Sequence, residues 1–402
     1  MPHLSLNDER RLSRYVVPLG VEGKGGLYHT VTGRRLPVEA DEQALEREFF
    51  LAGQERQALL SRLFRPRRTL VLTLIVTWEC NLRCNHCTVL DKLVPEARAE
   101  VDPRRLADFV RRFREARPEI ESLKLTFLGG EPLLRPDLCL ETLACLREVA
   151  GEIRCDATSN LAMPLEEAHL ELIRACDDLV VSLDGLESQH NAQRHPFRDD
   201  FNPFERTLAN LERLGREGLN GKVLVQGAIR DEFASIELFQ DFQRRLMALG
   251  VPWNRIAFET IHPTRLKPRP QQTYLATLRN PTLRTDPCCK YRGGYKLIVN
   301  DDGTLYSDYY DWEPLGTLDD PIEPMLERHR KMVLDTMPVL HDEGCRDCPA
   351  VGYCWGGCTN AHELAREPSR HCDQALLIRK IRELAVKDEL PAPPVTDTCN
   401  ST

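Results

Sequence analysis

From residue 69 onward the chain alternates two patterns, and that alternation restricts the fold more than any other feature. Short apolar runs at 70–76, 123–128, 153–158, 179–183, 222–229 and 256–259 read as strands. Between them lie apolar residues at helical spacing, such as Leu106, Phe109, Val110 and Phe113, or Phe204, Thr207, Leu208, Leu211 and Leu214. Asp102-Pro103 supplies an N-cap and a proline at the first helical position. Residues 137–149 and 165–176 continue the rhythm, and Ser235 opens a helix running to 249. Six strands separated by helices predict parallel βαβ units in an α/β fold, a partial (β/α)6 TIM-like barrel. In such folds chemistry gathers at the carboxyl ends of the strands.

The residues at those ends are distinctive. Cys80, Cys84 and Cys87 form a C-x3-C-x2-C run after the first strand, and Gly129-Gly130-Glu131-Pro132 follows the second. Ser159-Asn160 follows the third and Ser182-Leu183-Asp184-Gly185 the fourth. Three thiolates so close in sequence can converge on one metal centre without filling a four-site coordination shell. A four-iron cluster held by three cysteines keeps one iron open for a small molecule; a zinc ion with a fourth ligand from elsewhere uses the same spacing. The two glycines let backbone groups approach a ligand closely, and Glu131 can accept from an ammonium, although the same four residues also make a simple turn.

Composition excludes several classes. The 402 residues are 42% apolar and 29% charged, enough for a sizeable core. Net charge is −8, so no global basic field favours nucleic acid or an anionic membrane. The first residues hold no apolar signal segment, and no apolar run is long enough to span a bilayer. The expected location is cytoplasmic, where the 15 cysteines are more readily metal ligands than disulfides. Ten of them fall in two groups, three around residue 84 and seven between residues 288 and 372, while Cys399 stands apart in the polar tail. Cys139, Cys145, Cys155 and Cys176 stand alone within regular elements and read as small buried hydrophobes.

The three cysteines with His86 before the last, the GGEP run and Ser182-Leu183-Asp184-Gly185 together resemble the radical S-adenosylmethionine enzyme superfamily. The resemblance covers roughly residues 69–375. It implies that Cys80, Cys84 and Cys87 hold a 4Fe-4S cluster whose open iron chelates S-adenosylmethionine. It implies further that Gly129, Gly130 and Glu131 bind the methionine part, and that Ser159, Asn160, Ser182 and Asp184 line the ribose and carboxylate side. Arg194 would pair with the carboxylate, and a flavodoxin or ferredoxin would donate the electron. Farther on, Cys345-x2-Cys348-x5-Cys354-x3-Cys358, with Cys372 beyond, resembles the SPASM extension and its two auxiliary clusters. Read alone, these cysteines also suit a zinc knuckle. By the family pattern Cys345, Cys348, Cys354 and Cys372 hold one auxiliary cluster, and Cys358 joins Cys288 or Cys289 in the other. Asp308 stands where the pattern expects a cysteine. As a harder ligand it could complete that cluster, leave an iron open for substrate, or mark the cluster's absence.

Five segments are expected. Residues 1–68 form a hairpin-plus-helix module around Tyr15–Val31 and 41–64, suited to holding a peptide by strand addition. Residues 69–262 form the barrel, 263–284 a linker, 285–388 a loop-rich cluster domain closed by a helix at 373–384, and 389–402 a tail. The activity expected is hydrogen abstraction from a peptide or protein substrate, maturing a ribosomally made peptide. Formylglycine formation and small-molecule cofactor biosynthesis are the alternatives, and no nucleic-acid or membrane partner is expected.

Overall fold

The computed structural model describes residues 15–19, 26–36, 55–87, 89–94, 99–198, 200–229, 236–260, 294–309, 312–341, 343–346, 348–355 and 374–387. Its strands are β1 (Val16–Pro18), β2 (Leu27–His29), β3 (Arg35–Leu36), β4 (Thr69–Thr77), β5 (Leu82–Cys84), β6 (Ser122–Gly129), β7 (Glu152–Ser159), β8 (Asp178–Ser182), β9 (Arg194–Pro196), β10 (Val223–Ile229), β11 (Ile256–Thr260), β12 (Lys296–Val299), β13 (Thr304–Tyr306) and β14 (Pro314–Thr317). Two compact units emerge, one from residues 67–279 with 295–328, the other from 1–66, 280–294 and 329–402.

In the first unit six parallel strands lie in the order β4-β6-β7-β8-β10-β11, each beside its predecessor. Such singly wound succession, with right-handed helical crossovers, curls a sheet toward a barrel with every strand's carboxyl end on one rim. The partial (β/α)6 expectation therefore holds. The helix Pro103–Ala116 begins where Asp102 caps Arg104 N at 2.9 Å and Pro103 presets the first turn. It buries Leu106, Phe109, Val110 and Phe113 against Leu72, Leu74, Leu123 and Leu125 in one continuous core. The helix Pro203–Arg216, capped by Asn202 on Glu205 N, buries Phe204, Leu208, Leu211 and Leu214 in the same way. No helix among the described residues is long and apolar enough to cross a membrane.

The sheet does not stop at six strands. β12 pairs parallel with β4, and β13 and β14 extend that side antiparallel. This corrects the expected boundary at 285, since residues 295–328 belong to the sheet unit. The run Tyr295-Lys296-Leu297-Ile298-Val299 is short, but its Leu297 and Val299 are fully buried, and pairing with β4 satisfies an otherwise open strand edge.

The second unit joins the two ends of the chain. β1, β2 and β3 form an antiparallel sheet, followed by the helix Glu55–Leu63. Tyr15, Val31, Leu59 and Leu63 pack with Val333, Met337, Val351 and Trp355. Leu19 and Tyr28 pack with Cys348, Tyr353, Ile381 and Ala385, the last two on the helix Gln374–Lys387. Arg62, buried among these residues, donates to the carbonyls of Thr30 and Val31 at 3.0 Å each and lies over the Trp355 ring. Residues 1–66 are therefore not a self-standing module, as the sequence suggested. Their core is completed from residues 333–385. Residues 41–54 of the expected helix lie outside the described residues, as do the linker and Ser235.

Candidate functional site

Four neighbouring strands deliver the candidate residues to one rim. β4 ends at Thr77, β6 at Gly129 opposite it, β7 at Ser159 and β8 at Ser182. The chain beyond β4 is tied to the chain beyond β6 by backbone alone. Gly130 N donates to Thr77 O and Glu131 N to Glu79 O, each at 2.8 Å. A Cβ on Gly129 would fall 2.3 Å from Thr77 O, and one on Gly130 would fall 2.2 Å from Glu79 O. Gly129 also adopts φ +140°, a left-handed region that side chains disfavour. The glycine pair is thus required by close approach to the loop leading into Cys80.

Glu131 is buried and binds on both carboxylate oxygens. Oε1 accepts from Leu133 N at 3.1 Å and Oε2 from Asn160 N at 2.8 Å, with the Ser159 hydroxyl a further donor. Burial pushes its pKa up to about 7 against those hydrogen bonds. Each carboxylate oxygen has two acceptor sites, so Glu131 retains capacity for a cationic ligand. Asn160 braces the cysteine loop: its Nδ2 donates to Asn81 Oδ1 at 2.8 Å and lies 3.9 Å from Cys80 Sγ. Ser159 Oγ accepts from Leu161 N at 2.8 Å, where Leu161 takes φ +52°.

Asp184 is wholly buried. Its Oδ2 receives Arg194 Nε at 2.7 Å, and its Oδ1 receives Arg194 Nη2 at 3.0 Å and Ala228 N at 2.9 Å. Desolvation would raise its pKa, but the Arg194 guanidinium outweighs it and holds the carboxyl below its usual value. His86 Nε2 lies 3.6 Å from Asp184 Oδ2, and Arg194 Nη1 is 3.8 Å from Cys84 Sγ. Arg194 is carried by β9, which pairs antiparallel with β5 so that Cys84 faces Arg194 in register. Sequence reasoning paired Arg194 with a ligand carboxylate; in the structure its partner is Asp184. Ser182 ends β8, half-buried, in register with Gln226.

Sequence reading missed the outer brace. Thr207 donates to Asn160 O at 3.0 Å, and Asn210 to Leu161 O and Met163 O at 2.9 and 2.7 Å. The available signal was two polar residues on the buried face of an otherwise apolar helix stripe. Asn81, inside the cysteine run, also holds Ala162 O at 2.9 Å.

The thiols fit a cluster on their own chemistry. Cys80 is buried, and burial, then the Glu131 charge, push its thiol far up; burial likewise pushes Cys84 up to about 11, and Cys87 adds to both. A metal centre's positive charge releases the protons of buried thiols. Among the described residues no three His, Cys, Asp or Glu side chains close on a point as ligands of a single ion do. Cysteines that each take a different iron of a cluster need not.

In the other unit Cys345 lies in the short helix Glu343–Arg346, Cys354 ends the short helix Val351–Cys354, and Cys348 lies between them, its N donating to Cys345 O at 3.2 Å. Cys288, Cys289, Cys358 and Cys372 lie outside the described residues. Asp308 belongs to the sheet unit, buried just beyond β13. Its neighbour Tyr309 packs at 5.8 Å from Trp312 and donates to Gly129 O at 3.4 Å, while Trp312 stacks edge-on against Trp78. Tyr309 is therefore part of a packed aromatic group at the rim.

Comparison with known proteins agrees with this geometry. Residues 74–233 match the family model of the Radical SAM superfamily. GTP 3',8-cyclase of Aquifex aeolicus (strain VF5) is 28% identical over 184 residues, 45% of this chain and 55% of that protein. Its namesake from Xanthomonas campestris pv. campestris (strain B100) is 27% identical over 168 residues, 42% and 49% of the two. The chain thus spans about half the length of the curated relatives it matches. The structure of native anSMEcpe with bound AdoMet and Cp18Cys peptide superposes with TM-score 0.58 at 13% identity, over 80% of this chain and 98% of that one. Streptococcus suis SuiB bound to S-adenosylmethionine gives TM-score 0.51 at 14% identity, over 89% and 98%. Rim geometry, family match and fold likeness agree: residues 74–233 match the Radical SAM superfamily model, and the chain shares the fold of these solved structures.

Proposed function

We propose that the protein is a radical S-adenosylmethionine enzyme acting on a peptide. Cys80, Cys84 and Cys87 would hold the cluster, and Gly129, Gly130, Glu131, Ser159, Asn160, Ser182 and Asp184 the cofactor side of the rim. When bound, the cluster would supply the single electron that reductive cleavage of S-adenosylmethionine and hydrogen abstraction from substrate require. The chain's own residues do the positioning. Glu131 offers a buried acceptor for the methionine ammonium, Asp184 keeps Arg194 and His86 beside Cys84, and Asn160 with Asn81 fixes the loop bearing Cys80. The observation that carries the reading is the buried Glu131 carboxylate, bound by Asn160 N, with Asn160 Nδ2 3.9 Å from Cys80 Sγ on one strand-end rim.

The peptide half of the reading is supported by β3. Among the described strands it pairs with β2 alone, and Arg34 just before it and Arg35 within it are exposed. An open edge with cationic flanks suits an acidic leader segment added as a further strand. The anSMEcpe structure, which shares the fold, contains a peptide with AdoMet. Cys345, Cys348, Cys354, Cys358, Cys372, Cys288 and Cys289 are the proposed auxiliary-cluster ligands, and Asp308 a proposed further ligand or catalytic carboxylate. Unchanged iron content and activity in Asp308→Ala would remove it from that role.

A second reading rests on the curated relatives, whose name specifies a nucleotide substrate. The test is 5′-deoxyadenosine release under anaerobic dithionite, with peptides bearing an acidic leader segment and with GTP as alternative additions. Stimulation and a mass change in the peptide support the first reading; consumption of GTP supports the second. No 5′-deoxyadenosine under any condition ends both.

A further inference from the structure

In the second unit the cysteine loop rests on the opposite end of the chain. The loop is a succession of tight turns: Cys348 N donates to Cys345 O at 3.2 Å, Val351 N to Cys348 O at 3.1 Å and Cys354 N to Ala350 O at 2.9 Å. Cys345 packs against the cluster of Tyr15, Val31, Leu59 and Leu63, and Cys348 packs with Leu19 and Tyr28. Thr30 Oγ1 donates to Pro349 O, one residue past Cys348, at 2.7 Å, and the Tyr28 and Tyr353 hydroxyls share a bond of 2.5 Å. Arg62 spans both segments. It donates to Thr30 O and Val31 O, and its guanidinium lies 6.0 Å from the Tyr353 ring centroid and 5.0 Å from that of Trp355. Those two rings stand on either side of Cys354 in the chain. Trp355 is itself unusual. Fully buried, it takes φ +57° and ψ +25° directly after Cys354, a left-handed conformation that a large side chain resists. Such an outlier persists only where its surroundings over-determine it, and it marks a segment held for a purpose.

We propose that Thr30 and Arg62 are positioning residues for a thiophilic metal centre on Cys345, Cys348 and Cys354. The inference rests on the auxiliary-ligand part of the proposed function and adds to it residues from the other end of the chain. The donor chemistry fits, since thiolates take zinc or iron in preference to harder ions. Among the described residues these thiols do not close on one point, which suits cysteines that each take a different iron. Charge explains Arg62. A metal centre held by three or more thiolates carries net negative charge, and a buried guanidinium over the rings flanking Cys354 favours that charge over the metal-free, protonated thiols. Position explains Thr30. Its bond to Pro349 O fixes the chain between Cys348 and Cys354 against the end of β2.

The test uses the full chain with Cys80, Cys84 and Cys87 changed to Ala, which removes the rim thiols, and in that parent the variants Arg62→Met, Arg62→Lys and Thr30→Val. Cobalt(II) titration reads thiolate coordination of a single ion, and anaerobic loading with iron and sulfide reads a cluster. Amide exchange in β2 and in residues 351–354 reads the fold of the unit without metal. Arg62→Met and Thr30→Val should each hold metal roughly tenfold or more weakly with exchange protection kept, and Arg62→Lys, which keeps the charge, should recover part of the loss. Affinity equal to the parent in both Arg62→Met and Thr30→Val overturns the proposal while the auxiliary reading stands. So does a loss of affinity that in every variant accompanies a loss of protection, since the two residues then serve the fold alone. A parent that takes up neither cobalt nor iron overturns the auxiliary reading and the proposal with it.

Discussion

Gly130→Ala adds one methyl group at the point where the rim is tightest. The new Cβ would lie 2.2 Å from Glu79 O, 2.7 Å from Glu79 C and 2.9 Å from Trp78 O. All three are backbone atoms, so no side chain can swing aside, and the loop must retreat by about 1 Å to reach van der Waals contact. Retreat stretches two bonds of 2.8 Å, Gly130 N to Thr77 O and Glu131 N to Glu79 O. Overpacking of this kind costs about 1–3 kcal/mol, and weakening a buried backbone pair adds about 1–2 kcal/mol. The sum, roughly 2–5 kcal/mol, corresponds to a fall in Tm of about 5–15 °C in a unit of this size. The displaced loop carries Cys80 one residue beyond Glu79, so iron retained per chain should fall as well. Calorimetry of the anaerobic protein and iron analysis after desalting read the two effects. A Tm within a degree of wild type with full iron would refute the claim that the glycines are demanded by backbone packing. Unchanged Tm and iron with weakened S-adenosylmethionine binding would instead assign them to the ligand alone.

Other perturbations probe other parts. Asp184→Ala leaves the Arg194 guanidinium buried without its bidentate partner and should destabilise the sheet unit by about 3–5 kcal/mol in urea titration; a loss under about 1 kcal/mol would mean the pair is not held together. Cys80, Cys84 and Cys87→Ala together should remove about four irons per chain, leaving any iron bound elsewhere in place; bound zinc and little iron in wild type would contradict the cluster. His29 is buried, and burial lowers its pKa from 6.5 to about 4. Above about pH 6.5 the ring is neutral folded and unfolded, so it adds nothing. Between about 6.5 and 4 the unfolded chain takes up the proton first, so stability falls with pH by roughly 3 kcal/mol in total. His29→Gln should flatten that limb of the unfolding profile, and an identical limb would sink the assignment. Gly352→Ala places a Cβ 2.0 Å from Thr30 O and should loosen the second unit, seen as amide exchange in β2 and in residues 351–354.

The six barrel strands and their helices were legible in the sequence because each is a local pattern. Leu70 to Thr77 is apolar enough to be a buried parallel strand wherever it lies, and Asp102-Pro103 starts a helix by chemistry confined to one turn. The rim motifs were legible for the same reason, since spacing along the chain fixes which residues stand just past a strand end. Non-local partnerships were not. Nothing near Lys296–Val299 says it will pair with Thr69–Thr77, more than two hundred residues earlier, because strand pairing is decided by which open edge is available. Nor does the sequence say that Arg62 is completed by Tyr353 and Trp355, or that the partner of Arg194 is Asp184, ten residues away across the helix Glu187–Asn191. The sequence by itself determined the six strand segments of the barrel, the helices between them and which residues stand just past the strand ends. The tertiary structure alone decided how far the sheet extends, that the two ends of the chain share a core, and that the glycine pair packs on the loop entering Cys80. Periodicity and motif spacing are written within a few residues, whereas edges, cores and buried charge pairs exist only once distant segments meet.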